Sequence, residues 1–256
     1  MQVIIKRRAI RIEQVPNLAH IYDFTNPSNL TLSGSEISAI SDRGLFNTAL
    51  SQPTASARPL IVTNQLNGLS VANFNGTSHV LFNNNSTLGL SSFGLFVLAN
   101  PSDNNNVNKD TFVRRLSSNG INWAVRYNST EQFNLIAQNS SGTAFTGLVL
   151  SQGAGNWGLA FVGYNSGFYY RSINGNTVNS QSSSVVPRSD GTQRLTIGFN
   201  SGVANSFFGS IATIVALDGY PTNDEKQIIE GILLHKTGLQ SLLPSNHPYR
   251  FFPPFV

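Results

Sequence analysis

Residues 207–239, FFGSIATIVALDGYPTNDEKQIIEGILLHKTGL, predict a buried strand, a tight turn and a capped helix in direct succession. Alternation places Ile211, Thr213, Val215 and Leu217 on one strand face and Ala212, Ile214 and Ala216 on the other, with both faces covered. Asp218-Gly219-Tyr220-Pro221 interrupts the pattern. Thr222 and Glu225 then have the spacing of a capping box, in which hydroxyl and carboxylate each satisfy a backbone N–H of the first helical turn. Asp224 and Glu225 complement the helix dipole. Ile228, Ile229, Ile232 and Leu233 form one apolar stripe, and Gly238 is placed to end the helix.

Working outward, most of the chain reads as short strands between turns. Leu30-Thr31-Leu32 and Ile37–Ile40 flank Ser33-Gly34-Ser35, and further strands are expected at 69–74, 79–82 and 93–99, with Gly94 as a bulge. Strands at 111–116 and 122–127 flank the hairpin signal Ser117-Ser118-Asn119-Gly120, and another is expected at 133–138. Tyr164-Asn165-Ser166-Gly167 and Ile173-Asn174-Gly175-Asn176 are hairpin turns, and Trp157 is read as a core plug. Residues 180–184 read as a low-complexity loop.

Composition agrees with many strands and little charge. The 256 residues are 11% charged with a net charge of +4, too little to argue for nucleic acid. Cysteine is absent, which excludes disulfides and thiolate metal sites. No apolar run is long enough to span a bilayer, so no membrane contact is expected. In Met1-Gln2-Val3-Ile4-Ile5-Lys6-Arg7-Arg8 the charges follow the apolar residues, the reverse of a secretion signal.

Several segments resemble laminin-G-like, concanavalin A-like jelly rolls. The Gly209-Ser210-Ile211-Ala212 to Leu217-Asp218 strand, followed by the acidic cap at Thr222 and Glu225, is similar to the closing segment of such domains. Trp157-Gly158-Leu159-Ala160-Phe161 with the Ile173-Asn174-Gly175 turn, and Val71-Ala72-Asn73-Phe74-Asn75-Gly76-Thr77-Ser78, resemble two further strands of the family. The run Tyr22-Asp23-Phe24 to Asp42-Arg43-Gly44, and Leu243-Pro244-Ser245-Asn246-His247-Pro248-Tyr249, resemble a subset common in bacteriophage virion and bacterial surface proteins. The resemblance implies an all-β, two-sheet antiparallel jelly-roll sandwich with one short C-terminal helix. Residues 17–240 would form the sandwich, 1–16 an extended N-terminal arm and 241–256 a tail rich in proline and aromatics. This fold hosts lectins, glycosidases and purely structural modules alike.

Catalytic chemistry is sought and not found. The concanavalin-like glycosidases carry their carboxylates on one strand in an E-x-D-x-x-E pattern, and none of the 12 acidic residues here is so arranged. His20, His79, His235 and His247 stand singly, and no nucleophile elbow is present. No enzyme activity and no obligatory cofactor are therefore expected. Binding remains. Trp123 and Tyr127 share a strand face, as do Tyr169 and Arg171, with Tyr169 expected outward because Phe168 and Tyr170 suit the core. Such aromatics bordered by amides stack on sugar rings, although alternating aromatics are more often core. Asp103, among Asn104, Asn105 and Asn106, offers the hard oxygens calcium takes.

The expected protein is a non-enzymatic virion component that leaves the cell without a secretion signal. It would be a tail-fibre-like or particle-surface adhesin meeting a host surface glycan, and a symmetric homo-oligomer. Its contacts to other virion proteins would run through Lys6, Arg7 and Arg8 of the arm or Phe251, Phe252 and Phe255 of the tail, aromatics that should be buried against the domain or a partner. The alternatives are a capsid decoration or tail protein without ligand, and a free bacterial carbohydrate-binding module.

Overall fold

A computed structural model of the chain describes residues 9–84, 92–102, 109–116, 121–128, 130–147, 150–188, 193–198 and 206–255. In chain order the strands begin with β1 Leu18–Asp23, β2 Leu30–Ser33, β3 Glu36–Ile40, β4 Leu50–Ser51, β5 Leu60–Leu66 and β6 Leu69–Asn75. They continue with β7 Leu81–Asn83, β8 Ser92–Pro101, β9 Lys109–Leu116, β10 Ile121–Tyr127, β11 Gln132–Gln138 and β12 Ala144–Thr146. The last are β13 Leu150–Ser151, β14 Gly158–Asn165, β15 Phe168–Ile173, β16 Asn179–Ser182, β17 Gln193–Ile197 and β18 Phe208–Asp218, followed by helix α1, Asn223–Lys236.

The antiparallel pairings resolve into two sheets. In the first, β18 pairs on one side with β1 and β6, end to end, and on the other with β8, which leads through β14 and β15 to β16. β5 lies beyond β6. The second runs β2–β3–β4–β7–β17–β9–β10–β11, with β12 and β13 sharing the outer edge of β11. Among the described strands, a bridge from Glu36 to Leu60 links the two. β16 occupies part of the segment read as a low-complexity loop.

The main core lies between the sheets: Phe93, Leu95, Val97 and Ile214 of the first meet Phe112, Trp123, Val125, Phe133 and Leu195 of the second. A second cluster covers the outside of the first sheet, where Phe96, Phe161, Val215 and Leu217 pack under Ile229, Leu233 and Leu234 of α1. β18 is thus buried on both faces, and each large apolar side chain there contributes about 1.5–3 kcal/mol of transfer free energy. The expected face of Ile211 is corrected. The register against β8 slips between Ile211 and Thr213, so Ile211 joins Ile214 and Ala216 in the inner core while Ala212 lies outside with Val215.

Gly94 is likewise no bulge, since β8 runs in continuous register with β14 through it. Its lack of a side chain makes room for the turn after β18: a Cβ there would lie 2.6 Å from Pro221 Cδ. Gly94→Ala is expected to cost about 1–3 kcal/mol, the usual penalty of overpacking, measured by urea unfolding. A variant as stable as the parent would show that Pro221 yields freely.

Helix α1 begins as its sequence predicts. The Thr222 hydroxyl accepts from the Glu225 amide at 3.2 Å, and the Glu225 carboxylate accepts from the Thr222 amide at 2.8 Å. It ends at Gly238, with φ +72°, and the Leu239 amide reaches back to the Leu234 carbonyl at 2.8 Å. The tail crosses its far side, so a Cβ on Gly231 would sit 2.7 Å from that of Tyr249. Ala9 forms an antiparallel bridge with Phe255, and the Ile10 amide donates to the Pro254 carbonyl at 3.0 Å. Lys6, Arg7 and Arg8 lie outside the described residues. Phe251 and Phe252 are 74% and 71% exposed and Phe255 is also exposed, so these aromatics are not buried against the domain.

Candidate functional site

The aromatics predicted to form a platform face inward. Trp123 and Tyr127 are fully buried between the sheets, and the Tyr127 hydroxyl donates to the Gln152 carbonyl at 3.1 Å. Tyr169 is 4% exposed, stacks on Phe145 at 3.8 Å and donates to the Val185 carbonyl at 2.8 Å. Burial pushes its phenol well above the ordinary value, and Tyr164 adds to the shift. The expectation of an outward Tyr169 is therefore corrected, and so is that of a Trp123–Tyr127 platform. Tyr169 pairs with Tyr164 across β14 and β15, on the face that belongs to the inter-sheet core. Phe168 is exposed instead, and Tyr170 packs outward on Tyr220, ring centroids 4.3 Å apart.

Arg171 is half-buried, and burial lowers its guanidinium below the ordinary value. With Tyr170, Asn179 and Gln181 it borders a notch of about 10 Å³, the space of one water and far below a sugar ring. Asp103 lies outside the described residues; among those described, no three His, Cys, Asp or Glu residues come together as metal ligands.

Two roomier clefts flank the turn between β15 and β16. Asn174 and Gly175 take φ of +53° and +73°, the left-handed pair of a type I′ hairpin, and the Asn176 amide closes it onto the Ile173 carbonyl at 3.0 Å. Asn174 is pinned to β14 by two 2.8 Å bonds: its amide donates to the Leu159 carbonyl, and its side-chain oxygen accepts from the Leu159 amide. A Cβ on Gly175 would lie 2.8 Å from Leu243 Cδ2, so glycine lets the tail close against the turn.

On one side of this ridge is a cleft of about 440 Å³ bordered by Trp157, Asn156, Asn174, Leu239 and Leu242. Trp157 precedes β14 and is half-buried, packed against the outer cluster rather than plugging the inter-sheet core as its sequence position suggests. The loop before it is held by Gln152, whose Nε2 donates to the Ala99 and Asn156 carbonyls at 3.2 and 2.8 Å. An indole with one face on the protein and the other toward a cleft is a stacking surface. Sequence reading assigned Trp157 to the core, although Gly153-Ala154-Gly155 just before it marks a surface loop.

On the other side is a polar cleft of about 310 Å³ between Asn176, Thr177, Lys226, Gln227, Asn246 and His247. Beneath it Glu230 is buried and shared: Lys226 Nζ approaches Oε1 at 2.7 Å, and His247 Nε2 approaches Oε2 at 3.3 Å. His247 Nδ1 accepts from the Tyr249 amide at 3.2 Å, which puts the proton of the neutral ring on Nε2, facing Glu230.

Another buried ionic site is architectural. Asp42 receives His20 Nδ1 at 2.6 Å and the amides of Ile21, Gly44 and Thr48 at 2.9, 2.8 and 2.8 Å. Burial alone pushes the Asp42 carboxyl up, but the His20 hydrogen bond and charge, with the Ile21 and Gly44 amides, outweigh it and hold the group below the ordinary carboxylate range. His20 and Asp42 are both fully enclosed, so this pair meets no ligand.

The class these features define is a jelly-roll-like β-sandwich with one C-terminal helix. The same fold is found in the binding domain of Paraclostridial Mosquitocidal Protein 1, with TM-score 0.62 and 12% identity over 88% of this chain and 53% of that one. The receptor binding domain of botulinum neurotoxin D gives TM-score 0.60 and 11% identity over 88% of this chain and 54% of that one. A Trypanosoma rangeli sialidase in complex with sialic acid gives TM-score 0.60 and 12% identity over 91% of this chain and 36% of that one. The chain thus spans about a third to a half of these proteins, and at such identities the likeness is one of fold. Comparison with protein-family profiles and with curated proteins gives no match.

Proposed function

We propose that this chain is a carbohydrate-binding β-sandwich module that acts by adhesion rather than catalysis. The observation that carries this reading is Trp157, half-buried at the wall of an open 440 Å³ cleft with Asn156 and Asn174 beside it. Stacking on an aromatic face, with a few fixed polar groups to orient the ring, is how a protein holds a sugar. Neither of these clefts is lined by a carboxylate, whereas most glycoside hydrolases place a pair of them across the scissile bond. The similar structures described as receptor-binding or sialic acid-bound proteins support a recognition role on this scaffold.

Placement on a phage particle rests on the sequence resemblance of the 22–44 and 243–249 segments. Exposed Phe251 and Phe252 supply the anchor such a placement needs.

Trp157→Ala is expected to weaken binding to a bacterial surface glycan, identified on a glycan panel, by about 30-fold or more, as loss of an aromatic hot spot does. Because Trp157 also packs on the outer cluster, Asn156→Ala serves as a second variant, its exposed side chain bonding only to the loop carbonyls of Gly153 and Ala154. Unchanged affinity in both folded variants would remove the cleft as the site.

A further inference from the structure

We propose that the two clefts form a single site for a neutral oligosaccharide laid across the Asn174–Gly175 ridge, selective against acidic sugars. This inference rests on the carbohydrate-binding reading and adds its ligand class and length.

Continuity comes from the chain itself. Asn174 borders one cleft and Gly175 the other, and adjacent Cα atoms lie about 3.8 Å apart. The segment after α1 walls both, through Leu239 and Leu242 on one side and Pro244, Asn246 and His247 on the other. The ridge is rigid, because Asn174 is bonded twice to Leu159 and Gly175 is closed under Leu243 and His247. Each cleft falls within the range of about 300–1,000 Å³ that holds a small ligand, so the pair accommodates several linked rings. The two halves differ in character: Trp157, Leu239 and Leu242 offer a hydrophobic stacking surface, while Asn176, Thr177, Gln227 and Asn246 offer hydroxyl and amide partners.

Charge decides the class of sugar. The Trp157 cleft is bordered by no titratable side chain. In the polar cleft the one cation, Lys226, is neutralised by Glu230 at 2.7 Å, and its Nζ also lies 5.7 Å above the Phe161 ring. His247 turns its Nε2 to the same Glu230 at 3.3 Å, so it too is paired within the buried cluster. A carboxylate-bearing sugar would surrender its hydration here and gain no free cation in return. Neutral hydroxyl groups lose little, because amides replace their water partners.

The test is calorimetry with neutral glucose-, galactose- and N-acetylglucosamine-based oligosaccharides of increasing length, against their sialylated and glucuronylated counterparts. Runs at about 0.15 M and about 0.5 M salt separate site binding from attraction to the chain's net positive charge. The expected result is a neutral oligosaccharide of three or four rings binding about tenfold or more tighter than a single sugar, at both salt concentrations. Asn246→Ala together with Thr177→Ala is expected to erase that gain while leaving binding of the single sugar intact. A preference for acidic glycans that persists at the higher salt overturns this inference and leaves the carbohydrate-binding reading standing. A length gain that survives the double variant overturns the shared site. Silence with every probe overturns this inference and the reading beneath it together.

Discussion

Replacing Asp42 by alanine is expected to lower the unfolding free energy by about 3–5 kcal/mol, the scale on which a buried charged pair fails when one partner is removed. The carboxylate gathers four donors: His20 Nδ1 and the amides of Ile21, Gly44 and Thr48. Alanine would remove the acceptor these four donors share, two of them on the buried His20 and Ile21. These donors tie the first strand, β1, to the 42–48 loop, so the loss bears on the whole sandwich. The pH dependence has a definite sign. The folded carboxyl lies below its ordinary value, about 3.9 in the unfolded chain, so its stabilisation is complete above that value and is lost as pH falls through the folded one. Urea unfolding should therefore show native and variant proteins far apart at neutral pH and converging in acid. A constant gap from neutral to strongly acidic pH would show that the carboxylate charge is not the source.

Glu230→Gln should be nearly as damaging, also by about 3–5 kcal/mol, and more local in its effect. Glu230 neutralises Lys226 from within the same helix and accepts a hydrogen bond from His247 Nε2 in the tail, and all three are buried. Glutamine keeps the volume but leaves an unpaired ammonium beneath the polar cleft. Hydrogen exchange should speed up in residues 240–255 before it does in the sheets, because His247 is one of the tail's ties to α1. Replacing Lys226 by methionine and Glu230 by leucine together should recover most of the loss, since an apolar pair of similar volume needs no counter-charge. A double variant as unstable as Glu230→Gln would point to packing rather than charge.

What was legible in the sequence was local. The strand at 208–218, the Thr222–Glu225 capping box and the Asn174-Gly175 turn each depend on a few adjacent residues, and each forms as expected. What escaped depends on covering both faces of one sheet. In Phe168-Tyr169-Tyr170 aromatics fall on both sides, and alternation cannot say which side meets the other sheet and which meets the helix layer. Tyr169 went to the sandwich and Tyr170 to Tyr220, opposite to the hydrophobic ranking. Ile211 escaped because one extra residue at a bulge reverses faces without changing the sequence pattern. The clefts were hidden for a related reason: their walls come from a hairpin turn, the loop before β14 and a tail some 65 residues further on, and no spacing rule joins them.

The Ala9–Phe255 bridge has a mechanical consequence. The chain enters and leaves the domain side by side and in opposite directions, as the two legs of a stem. Tension applied to the legs peels a single bridge apart, and the hydrogen-bonded sheets are not sheared along their length. A longer polypeptide stretched through this point would open the bridge first and then draw on the segment after α1, whose residues wall both clefts, so tension would reach the clefts before the sheets.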